Sequence, residues 1–303
     1  MADKTLIVIA GPTAIGKTEL AIKIAQHFQT EIISADSRQF YREMEIGTAK
    51  PSAEELSAAK HHFINSLSIK DEFSVGDFEI AALGTLDKIF KKNNFAVLVG
   101  GSGLFIKAVT DGFDALPGSE ASVRKELNLL LETEGIVPLQ KKLNELDPEY
   151  YTEVDLNNPQ RIIRALEVCL SSGKPFSSFR TKTQQTRHFN ILKIGLNTSR
   201  EELYRRINSR VDEMVTAGLI EEVRNLLPYR KLNALNTVGY SEIFEYLDGM
   251  ISLEQAIENI KQNTRRFAKR QLTWFRKDEE IKWFETGQYP QVVEYISHQQ
   301  SGA

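Results

Sequence analysis

With 303 residues, 41% of them hydrophobic and 26% charged, the chain has the composition of a globular protein large enough for a substantial core, as one big domain or as a domain with an insertion. A formal net charge of −3 means that bulk charge does not advertise nucleic-acid binding, so any basic surface has to be local. A single cysteine, Cys169, excludes an internal disulfide and a cysteine-built zinc site; with no signal-peptide pattern after Met1 and no apolar run of membrane-spanning length, a cytoplasmic protein with no membrane partner is expected.

Leu6-Ile7-Val8-Ile9-Ala10 is a short apolar run rich in β-branched residues and predicts a buried strand. It leads into Gly11-Pro12-Thr13-Ala14-Ile15-Gly16-Lys17-Thr18, which fits the phosphate-binding loop pattern of a glycine, four residues and Gly-Lys-Thr. Apolar residues at 20, 21, 24, 25 and 28 predict a helix over residues 19–28. In such a loop the glycines let backbone N–H groups turn inward, and the helix N-terminus adds partial positive charge. Lys17 then holds an outer phosphate and Thr18 ligates Mg²⁺. Loops of this kind are nucleotide-binding and commonly ATP-binding, but the pattern specifies only a polyphosphate.

Thr30-Glu31-Ile32-Ile33-Ser34-Ala35 predicts a second strand, ending at Asp36. A carboxylate there, beside a phosphate loop, suits a general base or a water-mediated contact to Mg²⁺; the plainer alternative is a helix N-cap. Gln39 and Tyr41 add an amide and an aromatic ring suited to holding a purine. His61-His62 are adjacent and lack a third ligand, so a structural role is expected. A helix is predicted over residues 74–90 and a third strand over Phe95-Ala96-Val97-Leu98-Val99. That strand runs into Gly100-Gly101-Ser102-Gly103, where phosphoryl-transfer enzymes often carry an Asp. The glycines are expected to permit close backbone approach to an anion, and Ser102 to offer a hydroxyl to a phosphate or leaving group. Strands alternating with helices predict a parallel sheet with right-handed crossovers, which gathers the loop, Asp36 and Gly100-Gly101 beyond the carboxyl ends of the strands.

From about Leu116 the texture becomes helical, over 121–133, 137–146 and 159–171, with breaks at Gly135, Pro148 and Gly173-Lys174-Pro175. The expected organisation is a core of residues 1–115 and 186–303 interrupted by a helical insertion domain of residues 116–185. Pro159 opens a helix on which Arg161 and Arg164 share a face. Phe189-Asn190-Ile191-Leu192-Lys193-Ile194-Gly195-Leu196 resumes the sheet, and long helices are predicted over 200–227 and 253–276. Arg206 and Arg210 lie four apart, with Glu201, Glu202 and Asp212 nearby, so surface ion pairing is their plain reading. Residues 261–277 contain seven basic side chains and no acidic one. Arg266, Lys269 and Arg270 share a face, and Phe267, Trp274 and Phe275 add aromatic surface. Nucleic-acid contact and a solvated amphipathic helix packed on the core fit that segment equally. The tail after Glu285 is weakly patterned.

Taken in order, the phosphate loop, Asp36-Ser37-Arg38-Gln39-Phe40-Tyr41, Ile46-Gly47-Thr48-Ala49-Lys50-Pro51, His61-His62-Phe63-Ile64, Phe73-Ser74-Val75-Gly76-Asp77-Phe78, Gly100-Gly101-Ser102-Gly103-Leu104-Phe105, residues 159–167 and residues 264–276 resemble the bacterial tRNA dimethylallyltransferase (tRNA isopentenyltransferase) family over roughly residues 5 to 285. The resemblance implies an α/β fold, a P-loop NTPase-like parallel sheet flanked by helices with a helical insertion. It implies transfer of a dimethylallyl group from dimethylallyl diphosphate to N6 of the adenosine 3′ of a tRNA anticodon, with release of diphosphate. The loop would then hold a leaving group and no phosphoryl group moves, which accounts for the missing Asp after Val99. By the resemblance, residues 11–18 bind the diphosphate with Mg²⁺ at Thr18, Asp36 is the base at N6, and Lys17 and Ser102 assist the leaving oxygen. Contacts to the anticodon stem-loop fall to Asp36, Ser37, Arg38, Gln39, Ser102, Arg124, Gln160, Arg161, Ile162, Ile163 and Arg164, with the enzyme acting as a monomer.

Two residues depart from the family pattern: Ser102 stands where Thr is usual and keeps the hydroxyl, and Phe105 stands where Tyr is usual and cannot donate a hydrogen bond. Arg38 is an unusual filler between Ser37 and Gln39. The rivals are an ATP-dependent kinase of a small molecule or nucleotide, the same transfer onto free AMP or ADP, and a tRNA-binding module without activity.

Overall fold

Strand β1 (Thr5–Ala10) is buried on both faces, as its unbroken apolar run requires. Ile7 and Ile9 pack into one hydrophobic cluster, and Leu6, Val8 and Ala10 into the opposite one. The chain continues through α1 (Lys17–His27), β2 (Ile32–Ser34), α2 (Ala53–Ala58), β3 (His61–His62), α3 (Val75–Phe90), β4 (Phe95–Gly100) and α4 (Gly103–Thr110). Helices α5 (Ala121–Glu134), α6 (Ile136–Leu146), α7 (Pro148–Glu153) and α8 (Pro159–Ser172) follow. Then come β5 (Asn190–Asn197), α9 (Arg200–Thr216), α10 (Leu219–Asn225), α11 (Tyr240–Leu247), α12 (Leu253–Phe275), β6 (Lys282–Glu285) and α13 (Tyr289–Ser301). The structure is a computed structural model and describes residues 4–114, 116–118, 120–180 and 185–301.

Two compact units result, one of Met1–Asp111 with Thr186–Ala303 and one of Gly112–Gln185. The first holds a six-stranded sheet of order β3-β2-β4-β1-β5-β6, parallel at every pairing. The second is a cluster of α5 to α8 around Leu127, Leu139, Leu143, Ile162, Ile163 and Leu166.

Two strands carry too little pattern to be seen in the sequence. β3 is only His61-His62, pairing with Ile32 and Ile33, and β6 is four residues on the far edge beside β5. The expected helix over 200–227 is two helices, because Gly218 takes a left-handed φ of 104° that ends one and opens the next. The weakly patterned tail folds as α13, whose Val292 and Ile296 are buried in the cluster that also covers Ile7 and Ile9. Helix α12 touches three clusters along its length, through Ile260, Ala268 and Phe275.

Candidate active site

The phosphate loop connects β1 to α1. Gly11 and Gly16 take positive φ of 150° and 99°, and even Ala14 does, at 63°. Gly16 occupies the N-cap position with no side-chain cap, so the first N–H groups of α1 are left for a ligand. Lys17 Nζ donates to the Pro12 carbonyl at 2.7 Å, which folds the side chain back over the loop. Burial pulls the Lys17 ammonium down to about 7, opposed by the charge of Asp36 and reinforced by that of Arg210.

Asp36 follows β2. Its Oδ1 accepts the Arg38 N–H at 3.0 Å, a local turn contact of the kind the N-cap alternative anticipates. Oδ2 has no hydrogen-bond partner among the described residues. The Ser37 N–H donates to Ser102 Oγ at 3.3 Å, which joins the end of β2 to the turn after β4. Ser102 occupies the N-cap position of α4 without using its side chain as a cap. Thr13, Asp36, Ser37 and Ser102 line one cavity of about 770 Å³.

The opposite wall of this cavity is helical. Arg210 of α9 donates to Thr13 Oγ1 at 3.4 Å and to the Ala49 carbonyl at 3.1 Å. The half-buried side chain loses solvent around its guanidinium, which lowers its pKa against the stabilising charge of Asp36. Gln271 of α12 is 6% exposed. Its Oε1 accepts the Thr13 N–H at 2.9 Å and its Nε2 donates to the Gly101 carbonyl at 2.9 Å, so one amide spans the phosphate loop and the turn after β4. Glu222 braces the loop that carries Ala49. Its carboxylate accepts the N–H groups of Glu45, Ile46 and Gly47 at 3.0, 2.7 and 3.0 Å and the Tyr240 hydroxyl at 2.6 Å. Burial beside that carboxylate pushes the Tyr240 phenol well above its ordinary value.

The glycines at the end of β4 have a packing reason, and Gly101 and Gly103 also line the cavity. A Cβ on Gly100 would overlap the Ala35 backbone, one on Gly101 the Gln271 amide, and one on Gly103 the Trp274 indole. Gln39 does not line the cavity: its Nε2 donates to the carbonyls of Thr48 and Ala49, each at 3.2 Å. Arg38 does line it, and bridges to the Asn233 and Asn236 carbonyls at 3.1 and 3.2 Å. Phe105 also borders the cavity and packs on Phe40 and Phe78. His61 and His62 are strand residues, with His62 Nε2 at 2.6 Å from Glu31.

In the helical unit, Ile162 and Ile163 are fully buried, so their side chains are core and cannot meet a ligand. Gln160 and Arg161 are exposed at the start of α8. Arg124 and Arg164 each approach the buried carboxylate of Glu167 at 3.3 Å, which gives both a structural task within that unit.

Among the described residues no group of three or more His, Cys, Asp or Glu is arranged to hold a metal. A Mg²⁺ ion would therefore rest on the Thr18 hydroxyl, phosphate oxygens and water. Mg²⁺ commonly binds in that way, with few protein ligands and most of its shell from substrate and solvent, so the donor set fits it.

The sequence pattern of IPP transferase matches residues 39–278. The chain belongs to the IPP transferase family. The match leaves out the phosphate loop, but similarity to individual proteins extends across it. The chain is 61% identical to the tRNA dimethylallyltransferase of Christiangramia forsetii, over 92% of this chain and 93% of that one. Identity to the tRNA dimethylallyltransferase of Flavobacterium johnsoniae is 51%, over 97% of each. Among solved structures, the tRNA isopentenylpyrophosphate transferase of Bacillus halodurans superposes with a TM-score of 0.73 at 37% identity, over 99% of this chain and 97% of that one. A eukaryotic dimethylallyltransferase acting on tRNA gives 0.81 at 26% identity, over 97% and 80%.

For this IPP transferase family member, sequence reasoning missed Arg210, Gln271 and Glu222. Arg210 carried the same signal as Arg206, which in fact pairs with Glu202 at 2.6 Å. Gln271 was a polar residue inside a basic run, and its amide function has no spacing to betray it.

Proposed function

We propose that the cavity transfers a dimethylallyl group from dimethylallyl diphosphate to N6 of the adenosine 3′-adjacent to the anticodon in tRNA, releasing diphosphate. The observation that carries this reading is that Thr13 of a complete phosphate loop, the Asp36 carboxylate and the Ser102 hydroxyl line one cavity. The N6 nitrogen attacks the carbon that bears the diphosphate, the carbon–oxygen bond breaks, and the N6 proton passes to Asp36. N6 shares its lone pair with the purine ring, so a hydrogen-bond acceptor at its proton raises its nucleophilicity. Lys17, Arg210, Thr13 and the N–H groups at the start of α1 hold the negative charge that grows on the leaving diphosphate. Mg²⁺ on Thr18 supplies further charge neutralisation when bound. Ser102 donates toward the leaving oxygen. The adenosine has to leave its stack to reach such a cavity, as base-modifying enzymes generally require.

The kinase alternative lacks support. The relatives are named for prenyl transfer, and the turn after β4 carries no carboxylate. No helix among the described residues is long and apolar enough to cross a membrane, and a tRNA substrate supports action in the cytoplasm. Mass spectrometry of nucleosides from tRNA incubated with the protein, Mg²⁺ and dimethylallyl diphosphate tests the proposal. A dimethylallylated adenosine is expected; unmodified adenosine together with ATP-dependent phosphate release would overturn it.

A further inference from the structure

Gly47, Thr48 and Ala49 line the cavity but take no part in the proposed bond making. The turn they form is held by two groups that do not line it, Glu222 of α10 and Tyr240 of α11. Three successive N–H groups converge on Glu222: Oε2 accepts those of Glu45 and Ile46 at 3.0 and 2.7 Å, and Oε1 accepts that of Gly47 at 3.0 Å. Such a run of N–H groups is an anion-binding concavity, here filled by the protein's own carboxylate. The Tyr240 hydroxyl donates to Oε1 at 2.6 Å. Its fully buried ring leaves no room for a side chain at position 47, since a Cβ on Gly47 would lie 2.6 Å from it.

The turn ends at Ala49 in a left-handed conformation, with φ of 46°, which a residue with a Cβ keeps only where its surroundings impose it. The Ala49 carbonyl accepts Arg210 at 3.1 Å, and Arg210 also reaches Thr13 Oγ1 at 3.4 Å. Arg206 differs, being held directly by the Glu202 carboxylate at 2.6 Å. Neutral oxygens hold a guanidinium more weakly than a carboxylate does, but they leave its charge for an incoming diphosphate. They orient it only if they are themselves rigid. Glu222 supplies that rigidity one step away, where backbone N–H groups and a phenol answer its charge.

We propose that Glu222 is a positioning residue for the diphosphate: with Tyr240 it fixes the turn of residues 45–49, and the Ala49 carbonyl on that turn fixes Arg210 beside the phosphate loop. This deepens the proposed function and rests on it, since that reading sets Arg210 against the charge of the leaving diphosphate.

Calorimetric binding of inorganic diphosphate to the folded protein with Mg²⁺ tests the role without turnover. Glu222→Gln keeps the shape but puts an N–H donor where an acceptor is needed, and should weaken binding about tenfold. Tyr240→Phe removes one of the four hydrogen bonds to the carboxylate and should weaken binding about threefold. It also carries the test should Glu222→Gln fail to fold. In an Arg210→Ala background neither change should cost anything further, because the side chain they position is gone. Unchanged diphosphate affinity with a lowered Tm would make Glu222 a brace for folding only and overturn the proposal. Losses that add in full to that of Arg210→Ala would overturn it as well. The expected pattern in a protein that transfers no dimethylallyl group would remove the reaction and leave the positioning role standing. Prenyl transfer together with diphosphate binding indifferent to Glu222 would do the reverse, and no diphosphate binding by the unaltered protein would overturn both.

Discussion

The two walls of the cavity were built in different ways. The strand-end wall consists of short motifs at the tips of adjacent strands: the loop after β1, Asp36 after β2 and Ser102 after β4. Its residues meet with no help from helix packing, because a parallel sheet brings every carboxyl end to one edge. The helical wall consists of single side chains, Arg210 and Gln271, on helices whose other residues build the core or meet solvent. Chemistry concentrated in a motif announces itself in sequence, whereas chemistry spread over helix faces does not. If the division is real, the strand-end wall should govern bond making and breaking, and the helical wall should govern donor and RNA binding.

The largest effect should come from the strand-end wall. Asp36→Asn keeps shape and removes the acceptor charge, so kcat should fall by about 10²–10⁴ while tRNA affinity stays within a few-fold. Single-turnover chemistry measures this, and near-normal turnover would remove Asp36 from the mechanism. Next comes the arginine pair that sequence could not separate. Arg210→Ala should lower kcat/KM for the donor about 10²-fold, whereas Arg206→Ala, which removes a partly exposed pair with Glu202 and one long 3.4 Å hydrogen bond to the Ile15 carbonyl outside the cavity, should cost about threefold or less. Equal losses would erase the distinction between the two.

Lys17 adds a pH signature. Its pKa in the folded protein is about 7, against an ordinary value of 10.5. Above pH 7 the free enzyme holds it neutral, while a bound diphosphate favours the ammonium, so donor binding takes up a proton. The KM for dimethylallyl diphosphate should therefore rise as pH increases above about 7, by about tenfold per unit at most, and Lys17→Met should flatten the profile. The same shift makes the unfolded chain the better proton binder between pH 7 and 10.5, so the Lys17 contribution to folding stability improves as pH rises through that window. The smallest effect is at the rim. Lys269→Ala/Arg270→Ala should make the log–log salt dependence of tRNA affinity shallower by about 0.7–0.9 per lost phosphate contact, with the donor KM unchanged. An unchanged slope with a lowered Tm would mean that these cations only brace the helix.

The sequence by itself determined the strand–loop–helix with the phosphate-loop pattern, the parallel sheet, the helical insertion and the positions of Asp36 and Ser102. Each of these rests on interactions between near neighbours or on periodicity within one element. Glycine-rich turns were legible as turns, but not for their packing: Gly100, Gly101 and Gly103 leave room for Ala35, Gln271 and Trp274, all remote in sequence. Ile162 and Ile163 were legible as helical but not as core, since that depends on what packs over them. Only the tertiary structure decided which of Arg206 and Arg210 enters the cavity, and that Gln271 holds Thr13. The deciding contacts join residues 197 and 258 positions apart, and sheet order and helix packing bring such pairs together with no local signal in either partner.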